Sequence, residues 1–193
     1  MIIGITGGIA SGKSAVSHYL EEQGHPVIDT DILSREVIAE EAIIEAIVQA
    51  FGEQVLENGR LSREKLGKCI FSDEEARKTL NAIMHPAILD RTKEVLGTYA
   101  KEELVFLVVP LLYETGFDVL CDEVWLVLTD SILKEKRLMA RDDIDAAYAE
   151  QKIASQMDDA TRLSYHPTVI HNNGTLAELH VQVDKLLKTI EKN

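Results

Sequence analysis

The first fourteen residues constrain this chain more than any other stretch, because MIIGITGGIASGKS contains the pattern G-x-x-x-x-G-K-[ST] as Gly7, Gly12, Lys13 and Ser14. The β-branched run Ile2 to Ile5 is short enough to be a buried strand. The glycines after it let the backbone curl round a phosphate with several N–H groups pointing inward. The loop then opens a helix, since Val16, Tyr19, Leu20 and Gln23 recur at spacings of three and four, as a helix packed on a sheet requires. That order puts the positive end of a helix dipole at the anion. It also supplies the Lys13 ammonium for β- and γ-phosphates and leaves the Ser14 hydroxyl for Mg²⁺. With glycine at about 7% of residues, the bare pattern arises by chance in roughly one chain in a hundred of this length. The strand before it and the helix after it lower that figure, so a nucleotide-phosphate site outweighs a turn that merely joins strand to helix.

At 193 residues the chain suits one α/β core with insertions and is short for two independent domains. A net charge of −13 argues against a general nucleic-acid binder, which needs a broad basic surface, whereas a small phosphorylated ligand needs only a few local cations. No apolar run reaches transmembrane length, and the loop occupies the place of a secretory core, so a cytoplasmic protein with no membrane partner is expected. Cys69 and Cys121 lack metal-ligand spacing and read as small buried hydrophobes.

Further along, HPVIDTDILSREV carries a second short strand, Pro26 to Ile28, which delivers Asp29 and Asp31 at its carboxyl end. In an open parallel sheet that edge is where ligands bind, although either aspartate also suits a helix N-cap. Arg35 follows Asp31 by one helical turn. Residues 40 to 101 read as mostly helical, with a capping box at Ser72 and Glu75 and a stripe of Ile88, Thr92, Val95, Leu96 and Tyr99 after a break at His85-Pro86. So long a stretch exceeds an ordinary crossover and reads as an inserted lobe, on which Arg60, Arg63 and Lys65 form a solvated face. Leu104 to Val109 is the longest apolar run and the candidate for the central strand; Pro110 ends it and aims the following loop over the ligand crevice.

Val124 to Leu128 reads as a fourth strand and Thr168 to Ile170 as a fifth. Between them, Arg137 and Arg141 stand four apart on a helix, where they either close on one polyphosphate or pair with Asp142, Asp143 or Asp145. Asn172, Asn173 and Gly174 follow the last strand, where a loop edges an adenine, and Thr175 with Glu178 caps a final amphipathic helix.

GGIASGKS at 7–14, VIDTD followed by Arg at 27–35, HP at 85–86, VVPLLYE at 108–114, RLMARD at 137–142 and NNG at 172–174 together resemble the dephospho-CoA kinase family, in order and spacing, over nearly the whole chain. The resemblance implies ATP-dependent phosphorylation of the ribose 3′-hydroxyl of dephospho-CoA, the last step of coenzyme A synthesis, with Mg²⁺. It makes Asp31 the catalytic base. Gly8, Ile9, Ala10, Ser11, Gly12, Lys13, Ser14 and Ala15, with Asn173, become the nucleotide-binding set, its phosphate clamp running from Ala10 to Ala15. Arg137 and Arg141 fall in the lid, and Arg35, His85 and Leu111 fall on the acceptor side with Asp31.

Two positions depart from the family pattern. Ala10 replaces a usual glycine, so either its φ is negative or the loop shifts. Val108 stands where many members carry an aspartate, which weakens any Walker-B metal ligand on that strand and leaves Asp29 or Asp31 to hold the metal through water.

The expected fold is a three-layer α/β P-loop kinase with a mostly parallel five-stranded sheet. Its core spans about 1–38 and 103–193, a helical substrate lobe about 39–102, and a lid about 137–160. A P-loop GTPase is disfavoured because no N-K-x-D pattern is present, and a non-catalytic nucleotide module has no need of two acids at a strand end. A nucleoside or nucleoside monophosphate kinase is the near alternative.

Overall fold

A computed structural model describes residues 1–71 and 73–190, so the Ser72–Glu75 capping box lies outside the described residues through Ser72. In chain order the elements are β1 (Ile2–Thr6), α1 (Lys13–Glu22), β2 (Val27–Asp29), α2 (Thr30–Val37), α3 (Glu41–Phe51), β3 (Leu56–Glu57) and β4 (Arg60–Leu61). There follow α4 (Arg63–Phe71), α5 (Glu74–Thr98), β5 (Val105–Val108), β6 (Glu123–Leu128), α6 (Ser131–Asp142), α7 (Ala146–Ala154), α8 (Asp159–Leu163), β7 (Thr168–His171) and α9 (Leu176–Ile190). Two compact units result: Met1–Asp29 with the chain from Tyr99 onward, and Thr30–Thr98. Helix α2, expected with the core, clusters with the helical unit.

In the first unit the sheet order is β2-β5-β1-β6-β7 and every pairing is parallel. Alternate residues decide the faces. Ile3, Ile5, Phe106, Val108, Trp125, Val127 and Ile170 pack with Val16 and Leu20 of α1 and Leu179, Val183 and Leu187 of α9. On the opposite face, a Cβ at Gly4 would lie 2.7 Å from both Cys121 Sγ and Leu112 Cδ1, so the segment after β5 presses against the sheet where no side chain projects. The result is three layers, helix on sheet on irregular chain and helix.

The middle strand is β1, with β5 beside it, which corrects the expectation drawn from the longest apolar run. Both strands are interior and buried on both faces; Gly4 and Thr6 shorten the apolar run of β1 without moving it from the centre. The chain leaves β1 for β2 on one side and leaves β5 for β6 on the other. That reversal opens a crevice at the carboxyl ends of β1 and β5, which is where the glycine loop lies.

The second unit is built round Val37, Ile47, Val55, Leu66 and Met84. It is not wholly helical: β3 and β4 form a small antiparallel hairpin through Asn58 at φ 50° and Gly59 at φ 74°, the left-handed pair that a two-residue turn demands. The expected break at His85-Pro86 is also absent, and α5 runs through Pro86 for 25 residues. A mid-helix proline costs about 3 kcal/mol. Here Pro86 lies on the exposed face, while Ile83 and Met84 before it and Ala87 and Ile88 after it join the apolar core, which holds the helix together across the missing hydrogen bond. Lys65 donates to the Leu56 carbonyl at 2.7 Å, whereas Arg60 and Arg63 are solvated.

Candidate active site

The loop between β1 and α1 is shaped by positions that exclude a side chain. A Cβ on Gly7 would run into the Val127 carbonyl oxygen, and one on Gly12, at φ 95°, into the Asn172 side-chain amide. Ala10 keeps the left-handed conformation at φ 59°, which corrects the expectation of a negative φ: the strained angle is retained without glycine. An alanine there costs ~1–2 kcal/mol, part of which a glycine loses again through unfolded-state entropy. Ala10→Gly is therefore expected to raise the thermal midpoint by about 2 °C. An unchanged or lower midpoint by calorimetry would show that the Ala10 methyl packs usefully in the loop.

Lys13 opens α1 and its ammonium donates to the Gly7 and Gly8 carbonyls at 2.8 and 3.1 Å, folding across the loop. Gly12 gives the helix a left-handed N-cap with no side-chain acceptor, so no side chain caps the first-turn amides, as an anion site at a helix start requires. Ser14 is exposed in that first turn, and Ala15 packs against the sheet core. Behind the loop, the Ser11 carbonyl accepts from Thr129 Oγ1 and from Asn172 Nδ2, each at 2.8 Å, which ties the loop to the ends of β6 and β7. Ser11 Oγ is buried without a partner among the described residues. Together the left-handed N-cap, the glycines at 7 and 12 with no room for a Cβ and an orphaned buried hydroxyl fit a bound polyphosphate.

The two arginines expected in a lid part company. Arg137 donates to Thr129 Oγ1 at 3.3 Å and reaches within 3.9 Å of where a Gly12 Cβ would stand, so it borders the loop. Arg141 is instead held by Asp142, at 2.8 Å through Nε, and Lys152 donates to the same carboxylate at 2.7 Å. Arg141 and Lys152 keep Asp142 well below the usual carboxylate range. Asn173 likewise turns from the loop and exchanges two hydrogen bonds with Asp130, while its neighbour Asn172 makes the loop contact.

On the metal side, Val108 is paired in register with Asp29 across β5 and β2, so a carboxylate stands on the adjacent strand beside the missing one. Among the described residues no group of three His, Cys, Asp or Glu side chains could cage a metal. The exposed Ser14 hydroxyl fits Mg²⁺ as a single protein ligand, since that ion keeps waters and leans on substrate phosphates. Of the acceptor-side residues, Leu111 is exposed in the first unit. Asp31 and Arg35 are exposed on α2 in the second, and His85 is half-buried on α5 with its pKa lowered by desolvation.

Sequence reasoning assigned no role to a group of charges beside Gly8. Lys134 and Arg162 are both buried, and they share Asp159 at 2.7 and 3.1 Å; Arg162 also meets Glu114 at 3.2 Å. Lys134 Nζ lies 3.2 Å from where a Gly8 Cβ would be. Two buried cations beside a phosphate loop, each offset by a carboxylate, are costly to break and hold α6 and α8 to the loop. Lys134 precedes Arg137 by three residues and so shares its helix face, which is a local signal; Arg162 and Asp159 carry none.

A parallel sheet with this strand order, a glycine loop at its switch point and a lysine folded over that loop define a P-loop kinase. The family model described as dephospho-CoA kinase matches residues 1–178. A dephospho-CoA kinase of Shouchella clausii is 44% identical over 98% of both chains. Among solved structures, a Thermus thermophilus protein superposes with a TM-score of 0.84 at 34% identity, covering 98% of this chain and 97% of that one. A dephospho-CoA kinase from Campylobacter jejuni does so at 0.75 and 28%, covering 99% and 97%. The chain belongs to the dephospho-CoA kinase family.

Proposed function

We propose that this protein transfers the γ-phosphoryl group of ATP to the ribose 3′-hydroxyl of dephospho-CoA, the last step of coenzyme A synthesis, and that it acts in the cytoplasm. The observation that carries this reading is the loop itself: a glycine-shaped cradle at the carboxyl edge of the sheet, with Lys13 across it, in a chain of this family. Phosphoryl transfer through a loose transition state asks for positioning and charge stabilisation more than for covalent chemistry.

Each residue then has a task. The amides at the start of α1 hold the β-phosphate, Lys13 neutralises charge between the β- and γ-phosphates, and Arg137 approaches from the lid side. Arg141 acts only if Asp142 releases it on closure. Ser14, with Asp29 or Asp31 through water, would hold Mg²⁺, which would supply charge neutralisation at the nucleotide's phosphates. Strand β2 ends at Asp29, and Asp31 follows two residues later in the first turn of α2; Asp31 is the residue assigned to orient the 3′-hydroxyl and take its proton. Residues 30–98, with Arg35 and His85, form the lobe assigned to the acceptor, and Leu111 lies where the chain leaves β5.

Incubation with Mg·ATP and dephospho-CoA tests the reading, with the position of the new phosphate read by phosphorus NMR. A phosphate on the ribose 3′-oxygen is expected. Transfer to another hydroxyl, or none, overturns it.

A further inference from the structure

Gln156 follows α7, and its amide oxygen accepts from the Ile9 N–H of the phosphate loop at 2.8 Å. Lys13 fixes which end of a bound triphosphate this amide faces. Its ammonium serves the β- and γ-phosphates and lies over the Gly7 and Gly8 carbonyls, so the γ end borders Gly8 and Ile9. There a cavity of about 570 Å³ is lined by Gly8, Ile9, Lys134, Gln156, Asp159 and Arg162. Both cations on its wall are engaged by Asp159 and Glu114. The glutamine is different: with its oxygen held by a backbone N–H, the side-chain amide keeps two N–H donors, and Nε2 makes no hydrogen bond among the described residues. Its seat is fixed, because the next residue, Met157, donates its N–H to Glu114, and Glu114 is gripped by buried Arg162.

We propose that Gln156 contacts the γ-phosphoryl group: the Ile9 N–H orients its amide so that Nε2 donates to a γ-oxygen, and the residue thereby distinguishes ATP from ADP. This rests on the ATP-dependent kinase reading. The structure assigns Gln156 to the nucleotide, whatever the acceptor, so binding tests it without dephospho-CoA present.

Calorimetric affinities for Mg·ATP and Mg·ADP should be measured on the parent, Gln156→Ala and Gln156→Glu. A hydrogen bond to a charged group sets the scale, so Gln156→Ala should weaken ATP roughly 10-fold while leaving ADP within about two-fold. Gln156→Glu keeps an acceptor for Ile9 but turns negative charge toward the γ-phosphate, so it should weaken ATP at least as much, with the thermal midpoint unchanged. If alanine disturbs folding, the glutamate variant decides. Equal losses for ATP and ADP, or no loss for ATP, overturn the proposal, since a residue that merely anchors α7 and α8 affects both nucleotides alike. A parent protein that fails to phosphorylate dephospho-CoA but shows this ATP-to-ADP split would overturn the acceptor assignment and leave Gln156 in place.

Discussion

Lys13→Ala abolishes transfer on the scale of an assay, with an expected loss in single-turnover rate on the order of 10³-fold at saturating ATP. The magnitude follows from where the ammonium lies. It is held over the Gly7 and Gly8 carbonyls, while Lys134 beside Gly8 is engaged by Asp159. In the role proposed for it, Lys13 meets charge that develops between the β- and γ-phosphates during transfer, so its loss is expected to raise the barrier by about 4 kcal/mol, more than it weakens ground-state binding. Stability should change little, because Lys13 is only half-buried and α1 keeps Val16 and Leu20 in the core. A near-normal single-turnover rate in Lys13→Ala would contradict the phosphate-loop assignment outright.

Asp31→Asn is expected to lower kcat by roughly 10²- to 10⁴-fold, the contribution of a general base. Affinities for ATP and dephospho-CoA should stay within a few-fold, because the amide keeps the shape and one acceptor. The competing role is structural: an acid in the first turn of α2 favours the helix dipole by about 0.3–1 kcal/mol. That role predicts a small drop in thermal midpoint and an unchanged kcat, so the two are separated by measuring both quantities on one variant. A kcat within a few-fold of the parent would remove Asp31 from the chemistry.

What could be read in the sequence was whatever lies close along the chain. The pattern from Gly7 to Ser14 dictates its own loop, because the glycines answer to local backbone angles and to the strand running into it. The five sheet strands and the Thr175–Glu178 cap, with its 2.7 Å bond from the Thr175 N–H to the Glu178 carboxylate, were legible for the same reason. The hairpin at Asn58-Gly59 had a local signal, but two-residue strands leave no alternation around it.

Pro86 misled because its cost is met by tertiary packing that no window of sequence contains. Arg141 pairs with its immediate neighbour Asp142, a choice that helical spacing alone left open. The group of Lys134, Asp159, Arg162, Glu114 and Gln156 was invisible as a group, since Lys134 and Asp159 stand 25 positions apart and Glu114 and Arg162 stand 48 apart, and they meet only once α8 folds back toward the segment after β5.

The claim at the centre of this reading is the acceptor, and a comparison of kcat/KM across acceptors tests it most directly. Dephospho-CoA, adenosine, AMP, CMP and UMP should each be offered to the parent protein with Mg·ATP. Residues 30–98 form a compact unit far larger than a sheet crossover requires, and the acceptor role proposed for them gives them binding energy to contribute only to an acceptor with a pantetheine arm. Dephospho-CoA should therefore give a kcat/KM at least about 10²-fold above every other member, as a few side-chain contacts made only by the longer acceptor provide. A nucleoside monophosphate preferred over dephospho-CoA would contradict the acceptor while leaving the kinase intact, and equal rates for dephospho-CoA and adenosine would show that the lobe does not read the arm.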